Sequence, residues 1–183
     1  DGNVTLEGES DFLRLALQPF AVVAMPGATD LIDARVMDAA AFNNAAIGDA
    51  RVIIMANVPR LDDAQTTAIK QYVKQGGGLM IFLGDQVDAQ WYNKTLGDDG
   101  FLPAKLDTVK DLTQEKVPFT RVSVDPPDGR PHRVMRMFAE EVAITARVKK
   151  WYRLNRPLKD PSYEELAALN TPDRDSYLLS RKV

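Results

Sequence analysis

Two short apolar runs flanking a capped helical segment limit the fold of this chain more than any other feature. "RVIIMAN" (51–57) is continuous and β-branched, and "LMIFLG" (79–84) matches it in length and character. Runs this short and unalternating predict strands buried on both faces. Between them Asp62 is a good helix N-cap, with Gln65 three residues on as its capping-box partner. Leu61, Ala64, Ala68, Ile69, Tyr72 and Val73 then recur at helical spacing through Gln75. Gly76 supplies the left-handed stop.

Gly76, Gly77 and Gly78 raise the question of a phosphate cradle. Such a loop follows a strand and opens a helix, so that amides at the helix start face the anion. Here the order is reversed, and no Gly-Lys-Ser/Thr follows. The glycines read as a helix stop and a tight entry into a strand.

The alternation extends on both sides. "GESDFLRLALQPF" (8–20) predicts a short helix with Ser10 and Asp11 as cap candidates and Pro19 as its end. "IDARVMD" (32–38) alternates like a half-exposed strand, and residues 39–50 read as a short helix ending near Gly48. "DAQWYNKTL" (88–96) is a short amphipathic helix. Strand, helix, strand and helix over 32–96 predict an α/β fold, with a mostly parallel sheet and helices on both faces.

The second half carries weaker signals. "FLPAKLDTV" and "FTRVSVD" read as extended, "PPDGRPH" as a turn-rich loop, and "RVMRMFAEE" as a short helix. Residues 143–154 predict a strand with Ile144, Ala146 and Val148 on one face and Arg147, Lys149, Trp151 and Arg153 on the other. "DPSYEELAALN" predicts a helix from Ser162.

Composition closes several functional classes. The chain of 183 residues suits one domain, 1–183. It contains no Cys, which removes disulfides, thiolate zinc sites and a cysteine nucleophile. Its single histidine, His132, lies in a polar turn, and no serine sits in a nucleophile elbow. No metal or other cofactor is expected. A net charge of −3 favours neither nucleic acid nor an anionic membrane. No apolar run approaches the ~20 residues that span a bilayer. "DGNVT" places Asp1, Asn3 and Thr5 like a metal-dependent adhesion motif, but no strand precedes it and no partner ligands are visible. The first residue, Asp1, and the apolar, basic end "SYLLSRKV" suggest a piece cut from a longer protein.

Candidate site residues follow from the topology. In parallel sheets ligands bind beyond the carboxyl ends of the strands. Asn57 and Arg60 follow the first run; Gly84, Asp85 and Gln86 follow the second. If the two strands are neighbours, these residues share one crevice. Asp85 and Asp88 could serve a hydrolase as acid and base, or could cap the next helix. Arg147, Lys149, Trp151 and Arg153 could bind an anion or a nucleic acid strand, or could guard an edge.

The stretch from "VIIMANVPRL" through "GGGLMIFLGD" to "GFLPAKL" resembles the glutamine amidotransferase-like domain of BatA-like bacterial membrane proteins, which also carry a von Willebrand factor A domain. The resemblance is closest over 51–106. It implies a flavodoxin-like three-layer fold and a truncated first strand ending at Asp1-Gly2. It also implies a soluble portion, periplasmic, of a membrane-anchored parent. Class I amidotransferases use a nucleophilic Cys with His and Glu partners; without Cys, no catalytic residue transfers. The expectation is a non-catalytic module binding other domains of the parent, another protein or a small ligand, with self-association across the truncated sheet edge.

Overall fold

The computed structural model describes residues 8–22, 27–124, 132–137, 145–155 and 162–183. The chain forms two compact units, residues 1–87 and 88–183.

The first unit is built on strands β1 (Val52–Ala56) and β2 (Gly78–Phe82), which pair in parallel from Val52↔Gly78 to Ala56↔Phe82. The helices of this unit are α1 (Glu9–Leu17), α2 (Pro19–Val22), α3 (Asn44–Ile47) and α4 (Asp63–Lys74). Helix α4 links the two strands, as a parallel pair requires. Its capping box forms as expected: Gln65 N–H donates to Asp62 Oδ1 at 2.8 Å, and Asp62 N–H donates to Gln65 Oε1 at 3.0 Å. Gln65 Nε2 also donates to the Ala39 and Phe42 carbonyls, tying the helix start to the preceding segment. Gly76 ends the helix at φ +96°, its N–H donating to Val73 O. Ile47, Ala68 and Tyr72 form the core of this unit, with Phe42, Ile53 and Val73 packed against them.

Helix α1 starts two residues earlier than Ser10 as its cap would place it. Gly8 is the extended N-cap, and its N–H donates to Asp11 Oδ2 at 3.1 Å, so Asp11 serves from within the first turn. The helix ends at Leu17, before Pro19. Residues 32–38 form no strand. Ile32, Val36 and Met37 are exposed there, and no strand among the described residues takes up their backbone. Arg35 pairs with Asp49, and this hydrogen bond holds the Asp49 carboxyl below its ordinary range.

The second unit opens with α5 (Ala89–Tyr92), continued by a wider turn over Asn93–Gly97. Tyr92 is fully buried, which pushes its hydroxyl well above the usual phenol range. Asn93 bonds both backbone groups of Leu106, at 2.8 and 2.7 Å. The remaining elements are β3 (Lys105–Asp111), β4 (Thr120–Ser123), β5 (Arg147–Val148), β6 (Lys150–Asn155), β7 (Tyr163–Leu169) and β8 (Ser176–Arg181). They form a ribbon, β3–β6, and a four-stranded sheet in the order β5-β4-β7-β8, antiparallel throughout. Val122, Val124, Met135, Ala167 and Leu169 form its core. In the ribbon, Asp111 is held down to about 2, first by its bond to Lys150 and then by Thr113.

The expected three-layer, mostly parallel flavodoxin-like sheet is therefore overturned. The only parallel pairing among the described residues is β1–β2. Among the described residues, no helical crossover of the kind that parallel neighbours need joins the strands of the second half, and they pair antiparallel. "YEELAAL" is strand β7 rather than a helix. Register shifts beside Glu165, Ala167 and Ala168 hide its period of two, and tertiary pairing overrides the helix propensity of Glu, Leu and Ala. The expected strand over 143–154 divides between two sheets at Lys149; its residues 143 and 144 lie outside the described residues, as do Asp1, Asn3, Thr5, Asp1-Gly2 as a strand end, and most of "PPDGRPH".

Candidate functional site

The carboxyl ends of β1 and β2 meet, as their parallel pairing dictates. Asn57 stands directly after β1 at φ +50°, a left-handed conformation that Asn tolerates better than most residues. Its N–H donates to Phe82 O at 2.9 Å, and its side chain is buried. Asn57 Nδ2 donates to Glu9 Oε1 and to Asp85 Oδ1, each at 2.9 Å. Asn57 Oδ1 accepts from Gln86 N–H at 2.9 Å. One amide thus fastens α1, the end of β1 and the turn after β2.

Gly84 completes the arrangement. A Cβ there would lie 2.3 Å from the Asn57 amide carbon and oxygen, so only glycine leaves room for that side chain. Asn57, Gly84, Asp85 and Gln86 come together as the sequence suggests. Arg60 does not join them; it is exposed and takes no part in these bonds. Glu9 is the member that sequence reasoning missed, because it lies 48 residues from Asn57 and nothing local marks it.

This cluster is organised to hold loops. Both amide hydrogens of Asn57 are engaged by carboxylates, and its oxygen holds a backbone N–H. Asp85 is exposed and accepts from that amide. Asp88 caps α5, accepting from Trp91 N–H at 3.0 Å. Each carboxylate thus serves as a hydrogen-bond acceptor, Asp85 for the Asn57 amide and Asp88 for the start of α5.

Arg147, Trp151 and Arg153 are also engaged within the second unit, whereas Lys149 is exposed. Arg147 stacks over the Phe119 ring at 4.8 Å. Trp151 Nε1 and Arg153 Nε donate to the two oxygens of Asp175, and Arg153 also donates to Asp173. Thr171 Oγ1 donates to Asp175 as well. Glu165 takes Arg174 on one oxygen and Ser176 Oγ on the other. An open cleft of about 360 Å³ lies here, lined by Asp107, Arg153, Asn155, Asp173, Arg174 and Asp175 among others. Its three carboxylates outnumber its two guanidiniums, and each guanidinium already has a carboxylate partner. An anion or a nucleic acid strand would have to displace these acids. Sequence reasoning missed Asp173 and Asp175; the turn-forming Thr171-Pro172-Asp173 is the one local signal of that loop, and its pairing with β6 depends on the fold.

His132 opens the turn over Met135–Met137. Its Nδ1 accepts from Val134 N–H at 3.2 Å, which leaves Nε2 facing Glu164 at 2.9 Å. This is a turn residue bound to a surface carboxylate.

The strand pair itself departs most from expectation. Neither strand is buried on both faces. Ile53, Met55, Leu79 and Ile81 lie on one side of the pair, and Ile53 packs into the α3–α4 core. Val52, Met80 and Phe82 lie on the other and are 49%, 44% and 42% exposed. Leu83, just beyond β2, is exposed as well. An apolar face is thus open to solvent. The second face was expected to be covered by further strands and helices; among the described residues it leaves Val52, Met80 and Phe82 exposed, with Ile54 and Ala56 on the same face half-buried.

Comparison with protein-family models, with curated proteins and with solved structures finds no match. Among the described residues, no helix is long and apolar enough to cross a membrane, and no group of three or more His, Cys, Asp or Glu could hold a metal ion.

Proposed function

We propose that this chain is a non-catalytic interaction module that presents the open face of its parallel strand pair to another protein or to another domain of its parent. The observation that carries this reading is the exposure of Val52, Met80 and Phe82 side by side on one sheet face. Contiguous exposed apolar surface in a folded domain marks an interaction site or an aggregation hazard. The polar groups singled out by the sequence support the same reading from the other side. Asn57, Asp85, Asp88, Trp151 and Arg153 are engaged in internal bonds. The likeness of residues 51–106 to the glutamine amidotransferase-like domains of BatA-like proteins agrees with a module that lacks the cysteine of the catalytic relatives. On that likeness alone, we place the module in the soluble, periplasmic portion of a membrane-anchored bacterial protein. No cofactor, metal or nucleic acid enters this reading.

Position-specific photocrosslinking in the source cells tests it. A photoreactive phenylalanine analogue at Phe82 is expected to join the chain to a discrete partner protein or domain. The same analogue at Gln71, on the exposed side of α4, is expected to give none. Equal products from both positions, or none from Phe82 to any protein, would overturn the proposal.

A further inference from the structure

The free edge of β2 has a second property, independent of its open face. Gly78 N–H donates to Arg51 O at 3.0 Å, and Asn57 N–H donates to Phe82 O at 2.9 Å. Backbone groups alternate in direction along a strand. Gly78, Met80 and Phe82 therefore turn their N–H and C=O groups to β1. Leu79 and Ile81 turn theirs to the other edge, where no strand lies among the described residues. Edge strands are normally blunted by Lys, Pro, inward charges or bulges. "GLMIFLG" has none of these, and the β1–β2 register runs without a shift.

We infer that the partner of this edge is a second copy of the same chain, joined by antiparallel β2–β2 pairing about a two-fold axis at Met80. The register is self-complementary. Leu79 N–H and C=O meet Ile81 of the second copy, and the reverse, which satisfies every edge group of the central strand. Met80 faces Met80 in a non-hydrogen-bonded pair, where Cα atoms approach to about 4.5 Å. Phe82 falls opposite Gly78, whose missing side chain leaves space for the ring on the open face. The other edge offers no such match: about an axis at Ile54, Val52 would face Ala56 and Arg51 would face Asn57, which is already committed to the cluster. The segment is uncharged, so two copies meet without repulsion. Pairing produces a four-stranded sheet, β1-β2-β2-β1, with a doubled apolar face.

This inference rests on the reading of the strand pair as an interaction surface, and a charge-swap experiment separates the two. Sedimentation of the wild-type chain is expected to show a reversible dimer. Met80→Lys and Met80→Glu each place like charges face to face and are expected to weaken it by at least ~10-fold. An equal mixture of the two variants is expected to restore it, because only the two-fold register sets residue 80 against itself. Met80→Cys provides a check that tolerates modest loss of stability. In this cysteine-free chain it should form a disulfide dimer on mild oxidation, whereas Gln71→Cys should not. A monomer at all concentrations, variants that dimerise like wild type, open-ended assembly, or equal oxidation of both cysteine variants would overturn the inference. Crosslinks from Phe82 to a different protein, with no dimer, would leave the interaction reading standing and remove this one.

Discussion

Gly77→Ala is expected to lower the stability of the chain by about 2–4 kcal/mol, more than the same change at Gly76. A Cβ on Gly77 would lie 2.2 to 2.4 Å from three ring atoms of Tyr72. That ring is buried in the α3–α4 core, and its hydroxyl donates to Ala50 O at 3.2 Å. It cannot retreat without opening the core or breaking that bond. Gly76 is the helix stop at φ +96°, but a Cβ there meets nothing within 4 Å. Its replacement by Ala costs backbone strain alone, about 1–2 kcal/mol. Urea unfolding followed by far-ultraviolet circular dichroism separates the cases. Equal losses at the two positions would mean that the Tyr72 contact is not tight.

Asn57→Ala is expected to cost about 2–4 kcal/mol by the same measurement. It removes the amide that joins Glu9, Asp85 and the Gln86 N–H, and it forces a left-handed conformation on a residue poorly suited to it. Asn57→Gly loses the same bonds but relieves the backbone, so it should retain about 1 kcal/mol more than Asn57→Ala. If Asn57→Ala is as stable as wild type, the cluster does not hold the loops together.

The strand–helix–strand core of 51–84 was legible because its signals are local. A capping box, a helical apolar period and a glycine stop all act within a few residues of themselves. Asn57, Gly84, Asp85 and Gln86 were legible as neighbours for a related reason: parallel strands bring their carboxyl ends to one side. Arg60 fell outside, since four residues beyond the end of β1 is already far enough for the chain to turn away. The extension from this pair to a full parallel sheet was not legible. A short apolar run shows that a strand is expected, but not what covers its second face, and Val52, Met80 and Phe82 lie uncovered. In the second half, bulges erased the alternation of β7, and helix-forming residues occupied it. Residues 147–155 form an extended stretch whose two parts serve different sheets, a division set by partners distant in sequence.

The central claim is that β2 turns one set of backbone groups to β1 and leaves the other open for pairing. Amide hydrogen exchange, residue by residue and at two protein concentrations, tests it most directly. At high dilution Met80 and Phe82 should be protected, while Leu79 and Ile81 exchange freely. At high concentration Leu79 and Ile81 should gain protection and the other two should change little. Uniform protection along β2 that is independent of concentration would contradict the account.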